Sequence, residues 1–224
     1  LKKMKILDPV KKFKSKEFTY INYDIEAVID DKGESYPYSI SYVILKSEEI
    51  KEEIITKSNE KKMIEIFKER CKYYDIKNVE DPISTFLDDI MSIDGSILLT
   101  GYNSMRYDNI FLYRKCIEKG LKINPFFANG SLFDLKIEEK QDIKCFDVCR
   151  FVNNTLKQAC EDFDTYPRKM EGFSHKIPQE IYNNNGLKGL KKWIEENRTI
   201  IENYNKIDVL ACTSLFIKVR NGFL

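Results

Sequence analysis

The stretch Phe18-Thr19-Tyr20-Ile21-Asn22-Tyr23-Asp24-Ile25-Glu26-Ala27-Val28-Ile29 decides how this chain is read. It is an apolar run of strand length, rich in aromatic and β-branched residues, with two carboxylates in its middle. Acids inside a buried strand are costly unless something pairs them. Side chains two apart on a strand point the same way, so Asp24 and Glu26 share a face. A divalent cation is one way to neutralise paired oxygens on a central strand. An edge strand with two solvated acids is the other reading, and the rest of the chain has to choose.

Working outward, Asp30-Asp31-Lys32-Gly33 reads as a turn, and Tyr36–Lys46 as a second strand in a hairpin with the first. Glu49–Thr56 is expected to be a third strand. Residues 59–74 fit a helical stripe of Met63, Ile64, Phe67 and Cys71, or a short strand. Asp81-Pro82 opens a helix with the apolar face Ile83, Phe86, Leu87, Ile90 and Met91. Ser96–Gly101 is a short buried strand, and Tyr107–Lys119 a helix closed by Gly120. Leu132–Ile137 and Ile143–Val148 are strand candidates. Thr155 and Gln158 have capping-box spacing at the start of another helix. Residues 164–189 are expected to be mostly loop, followed by a short helix at Leu190–Glu196 and a closing helix at Ile200–Val219. Strands first, then strands interleaved with helices, predict one α/β domain with a mixed sheet.

Composition sets the bounds. The 224 residues suffice for a real core, and 14 Phe with 13 Tyr argue for a folded chain. Net charge is +1, so overall charge gives no nucleic-acid footprint and excludes none. Six Cys without a C-x-x-C pair, and a single His, argue against structural zinc and a secreted disulfide framework. No apolar run reaches membrane-span length and no signal peptide is visible, so no membrane partner is expected. Residues 1–17 are Lys-rich, a solvated linker or a nucleic-acid contact. The chain begins with Leu1, and the expectation is one domain over 18–224 excised from a longer protein.

Further acids stand where a metal site would want them. Asp108 follows a buried strand, in Asn103-Ser104-Met105-Arg106-Tyr107-Asp108. As ordinary structure, Asn103 would be a turn former and Asp108 a first-turn acid facing the helix dipole. Asp208 sits mid-helix among Ile207, Val209, Leu210 and Ala211, with Tyr204 one turn earlier on the same face. A mid-helix acid beside an apolar face requires a partner.

Taken in order, Asp24-Ile25-Glu26, then Asn103 to Asp108, then Tyr204 to Asp208, resemble the three exonuclease motifs of the DEDD superfamily. Tyr204 marks the DEDDy branch; the DEDDh branch would carry a His where Asn203 stands. The Asn-x-x-x-Tyr-Asp form is most similar to the 3′–5′ proofreading exonuclease domain of family B DNA polymerases. Cys145-Phe146-Asp147-Val148 and Asn154-Thr155-Leu156-Lys157 resemble the viral, organellar and linear-plasmid type, mainly protein-primed enzymes. The likeness runs from about Phe18 to about Phe216.

The resemblance implies a ribonuclease-H-like fold, a mixed sheet flanked by helices. It implies that Asp24, Glu26, Asp108 and Asp208 bind two Mg²⁺ or Mn²⁺ ions, and that Tyr204 orients the attacking water. It places Asn103 and Tyr107 at the 3′-terminal nucleotide, Thr155-Leu156 on the single strand and Lys169, with Arg168 adjacent, at the phosphate. Thr155 also reads as a helix cap, and it can do both. Ala27 departs from the pattern, where relatives often carry a Thr. The partners implied are a single-stranded DNA 3′ end and the polymerase domain of the parent chain. The location implied is intracellular, in a host cytoplasm, an organelle or a virus. A free-standing DEDDy exonuclease on DNA or RNA, and a catalytically silent nucleic-acid-binding module, stay open beside this reading.

Overall fold

The computed structural model describes residues 17–137 and 141–223. The Lys-rich segment therefore lies outside the described residues, except for Glu17. Seven strands form one mixed sheet in the order β3-β2-β1-β4-β7-β6-β5: β1 Phe18–Ile29, β2 Ser35–Leu45, β3 Lys72–Asp75, β4 Ser96–Gly101, β5 Ile123–Ala128, β6 Ser131–Ile137 and β7 Gln141–Asp147. The middle strands β1, β4 and β7 run parallel, and each flank is added antiparallel. The α/β class and the mixed sheet are as expected. β1 lies between β2 and β4, so its two acids are not on an edge strand.

Side-chain alternation divides β1 between two helical layers. Ile21, Tyr23 and Ile25 pack with α2 (Pro82–Met91) and α3 (Asp108–Glu118) on one face. Tyr20 faces the other layer, which holds α1 (Glu60–Arg70), α5 (Leu156–Asp162) and α6 (Lys176–Phe223). α4 is a single turn, Cys149–Val152.

Local rules account for most element ends. Asp81 accepts from the Ile83 and Ser84 N–H groups, both at 3.0 Å, and Pro82 opens α2. Its stripe Ile83, Phe86, Leu87 and Ile90 is buried, as the spacing predicts. α3 ends in a Schellman motif at Gly120 (φ 66°), with Leu121 N donating to Cys116 O at 3.0 Å and Gly120 N to Ile117 O at 2.9 Å.

Three expectations are corrected. Glu49–Thr56 is a run of turns, not a strand. Lys46 N donates to Glu49 Oε2 at 2.8 Å and Thr56 N to Asn59 Oδ1 at 2.7 Å, local bonds that compete with strand pairing. β3, from the ambiguous stretch 59–74, takes the place beside β2, and α1 occupies the rest of that stretch. Second, β5 was not anticipated; its Pro125 hides the pattern but is admissible on an edge strand, which is where β5 lies. Third, the region expected as loop up to residue 189 becomes helical from Lys176. Gln179 docks that helix on the end of β1, accepting from Ile29 N and donating to Ile29 O, both at 2.8 Å. Gly186 (φ 60°, ψ −161°) breaks the helix, and the expected helices at 190–196 and 200–219 are parts of its second arm. No helix among the described residues is long and apolar enough to cross a membrane.

Candidate active site

The pairing of β1 with β4 runs from Phe18↔Ser96 to Asn22↔Thr100 and then stops. Beyond Asn22, that edge of β1 is open. The Asp108 carboxylate fills part of the gap, accepting from the freed Ile25 N–H at 3.2 Å. Asp24 and Glu26 project from this opened part of β1 on the side facing α6. Their near neighbour Asn22 holds Thr100 Oγ1 at 2.9 Å and Cys212 Sγ on α6 at 3.4 Å.

Asp108 is delivered by a compact turn after β4. Gly101 sits so close beneath it that a Cβ there would lie 2.6 Å from Ser104 Cβ and 3.2 Å from Tyr23 O. Asn103 adopts the left-handed conformation (φ 60°), which Asn tolerates better than most residues. Its N–H donates to Asp147 Oδ1 at 2.7 Å, and Cys149 N donates to the same oxygen at 3.1 Å. Asn109 accepts from the Tyr23 hydroxyl and donates to Leu132 O at 3.3 Å, fixing the start of α3 against the sheet. Asp147, which the sequence marks only as part of Cys145–Val148, and Asn109 are thus supporting residues to which no motif assigns a role. The signal that could have found them is a polar residue within an apolar stretch, Asp147 between Phe146 and Val148 and Asn109 ahead of Ile110 and Phe111.

The other wall comes from α6 and the loop before it. Tyr204 and Asp208, one turn apart, are both buried. Lys169 Nζ pairs with Asp208 Oδ2 at 2.5 Å and lies 5.3 Å from the centre of the Tyr204 ring. Phe173 stacks on Tyr204, with ring centres 4.4 Å apart. His175 Nδ1 is 3.1 Å from Glu26 Oε2, and its Nε2 is 3.2 Å from the Tyr204 hydroxyl. Nothing local in the sequence places His175 here, because it precedes Tyr204 by many residues and belongs to none of the three motifs.

These groups line one open cleft of about 360 Å³. Asp24, Glu26, Asp108, Asp208, Tyr204, Lys169, Asn103, Tyr107, Leu156, Ala27 and His175 all border it. Thr155 does not: its hydroxyl caps α5, accepting from Gln158 N at 3.3 Å. Gln158 turns to Asp162 at 2.8 Å, so only one half of the capping box is formed. Arg168 points away, to Cys160 O and to Asp164 at 2.9 Å.

Electrostatics set the character of the cleft. Burial, then the charges of Glu26, Asp108 and Asp208, push the Asp24 carboxyl well above the usual carboxylate range. Burial raises Asp108 to about 8, against the lowering effect of the Ile25 N–H bond. Burial opposes the Lys169 ammonium, but Asp208 outweighs it and holds its pKa above that of an ordinary lysine. Burial, then Asp208, raises the Tyr204 phenol, so its hydroxyl stays protonated near neutral pH.

Among the described residues, no group of three or more His, Cys, Asp or Glu side chains is arranged to hold a metal ion. Lys169 draws Asp208 Oδ2 aside and His175 draws Glu26 Oε2. The chemistry of the donor set nonetheless suits Mg²⁺ or Mn²⁺. Every candidate ligand is a hard carboxylate, the acids destabilise one another's charge, and Asp208 Oδ1 is buried with no hydrogen-bond partner.

No protein-family model matches the chain, and no curated protein matches it in sequence. Its fold is similar to solved structures of a DNA polymerase. Phi29 DNA polymerase complexed with single-stranded DNA aligns over 92% of this chain with a TM-score of 0.55 and 12% identity. The same polymerase with primer-template DNA and incoming nucleotide aligns over 92% with a TM-score of 0.49 and 13% identity. The chain spans about a third of that polymerase, 32% and 31% in the two structures. The first likeness carries the ribonuclease-H-like α/β fold.

Proposed function

We propose that this chain is a 3′–5′ exonuclease domain, dependent on Mg²⁺ or Mn²⁺, of a family B DNA polymerase of the protein-primed type. It would remove 3′-terminal nucleotides from single-stranded or frayed DNA as a proofreading activity. The observation that carries the reading is convergence. Four carboxylates and one tyrosine, from a strand, a post-strand turn and a distant helix, meet at one cleft. A fold like that of a polymerase solved with single-stranded DNA supports the choice of substrate.

Asp24, Glu26, Asp108 and Asp208 are the residues that would hold the cations. Two divalent ions, when bound, stabilise the attacking and leaving oxygens of an in-line displacement at phosphorus. The chain's own groups do the rest. The protonated Tyr204 hydroxyl is a poor base, so it orients water rather than deprotonating it. Lys169 supplies a fixed positive charge within reach of Asp208, suited to a scissile phosphate. Tyr107 is 40% exposed at the rim, offering an open ring for the terminal base, and Asn103 lies beside it. Leu156 presents an apolar edge to the strand, and Thr155 at the α5 cap lies next in sequence.

Release of a 3′-terminal labelled nucleotide from a single-stranded oligonucleotide tests the assignment. Asp24→Ala and Asp208→Ala should each reduce the rate at least about a thousandfold, while Tyr204→Phe slows it about tenfold to a hundredfold. Wild-type activity in either Asp variant would remove that residue from the ligand set. Equal loss in Tyr204→Phe and the Asp variants would give Tyr204 more than an orienting role.

A further inference from the structure

We infer that His175 is a positioning residue that couples Glu26 to Tyr204 and sets the direction of the Tyr204 hydroxyl. The inference rests on the exonuclease reading for its kinetic consequences but not for its geometry. One imidazole bridges two groups that come from different elements, Glu26 on β1 and Tyr204 on α6. Its ring also meets Phe173 edge-on, 5.7 Å between centres and 80° between planes, and Phe173 stacks on Tyr204. The residue is therefore held by an aromatic contact as well as by two polar ones.

With Glu26 ionised and the ring neutral, the three groups admit one arrangement of protons. An ionised carboxylate only accepts hydrogen bonds, so the Nδ1 facing Glu26 Oε2 must carry the proton. In the neutral ring Nε2 is then an acceptor, and the Tyr204 hydroxyl donates to it. With its proton committed to His175, the Tyr204 oxygen keeps its lone pairs for the Lys169 ammonium and for the cleft. A water there can donate to that oxygen and keep its own lone pair for the phosphate. The order carboxylate, imidazole, hydroxyl follows the logic by which an acid fixes the tautomer of a histidine beside a nucleophile. Here the hydroxyl directs water instead of attacking. His175 takes Glu26 through Oε2, so Oε1 is not engaged by the imidazole.

Exposure makes the inference testable without losing the fold. The His175 side chain is 60% exposed, at the rim of the cleft, so its removal leaves no cavity in the core. It is also the only histidine in the chain, so every imidazole signal in a spectrum belongs to it.

The first test is a long-range ¹H–¹⁵N spectrum of the metal-free wild-type protein, at a pH where the ring is neutral. The expected result is a single Nδ1–H tautomer, with a Glu26→Gln variant shifting the ring toward a tautomer mixture. An Nε2–H tautomer, or a ring averaging both forms in the wild type, would overturn the inference whether or not the protein digests DNA. The second test is a kinetic cycle. His175→Ala should lower kcat about threefold to tenfold with little change in KM, as loss of one oriented hydrogen bond would. His175→Gln, which places an amide near the Nε2 position, should recover most of that loss. Combining His175→Ala with Tyr204→Phe should cost no more than Tyr204→Phe alone, because both remove one interaction. Additive losses, or His175→Gln no better than His175→Ala, would overturn the coupling. Absence of digestion by the wild type would refute the exonuclease reading and leave the spectrum to judge His175.

Discussion

Asp24 is the residue on which the electrostatics of the cleft turn. Burial and three neighbouring acids oppose its charge, so the ionised form weakens the metal-free fold. Asp24→Asn removes that charge with little change of shape. Its metal-free melting temperature should exceed the wild type's by roughly 2–6 °C. Scanning calorimetry with added Mn²⁺ should then raise the wild-type Tm and leave the variant nearly unmoved. Equal Mn²⁺ shifts in both would mean that Asp24 holds no cation. The sequence made this residue legible because an acid inside an apolar run is a local contradiction visible without coordinates. His175 was not legible for the opposite reason: nothing local marks it. Its role comes from the loop after α5 folding back on β1, a contact across 149 positions.

At the scale of elements, Gly101 and Asp89 show how the frame holds the site. The turn from β4 to Asp108 packs on the Gly101 backbone, and a methyl there would collide with Ser104 and press on Tyr23 O. Gly101→Ala should cost about 1–3 kcal/mol of stability. It should also slow digestion more than its stability loss explains, because it displaces the turn that carries Asn103 and delivers Asp108. Unchanged activity with unchanged Tm would contradict that packing.

On the other side of the sheet, Asp89 of α2 accepts from the Tyr42 hydroxyl, from the Tyr74 hydroxyl at 2.8 Å, and pairs with Lys72 at 3.2 Å. Burial alone would raise its pKa, but these partners outweigh it and hold the carboxyl below its ordinary value. A depressed folded pKa gives stability that is present above the unfolded value near 4 and lost as pH falls through the folded one. Asp89→Asn should therefore cost about 1–2 kcal/mol at pH 7, and the gap from wild type should close in urea melts as the pH falls through the lowered folded-state pKa. A gap independent of pH would assign the loss to packing.

The elements that could be read in advance were those whose pattern and ends agree, such as α2 with its Asp81 cap and buried stripe. Those that could not be read were decided by distant partners. Residues 176–185 look like loop until Gln179 meets Ile29, and β5 looks like loop until it lines up on β6.

For the whole molecule, a mixed sheet brings β1, the turn after β4 and α6 together at one cleft, and the function proposed for it is removal of nucleotides from a DNA 3′ end. The three motifs carried that arrangement because each marks a place where the chain passes the same point of the sheet. The supporting contacts of Asp147, Asn109 and His175 arise only when those passages are packed. The most direct measurement is a time course on a 5′-labelled single-stranded oligonucleotide with Mg²⁺ or Mn²⁺, set against EDTA. The expected result is a metal-dependent ladder that shortens one nucleotide at a time from the 3′ end. Full-length strand after long incubation of the folded protein with either metal, or internal cuts without a 3′ ladder, would contradict it.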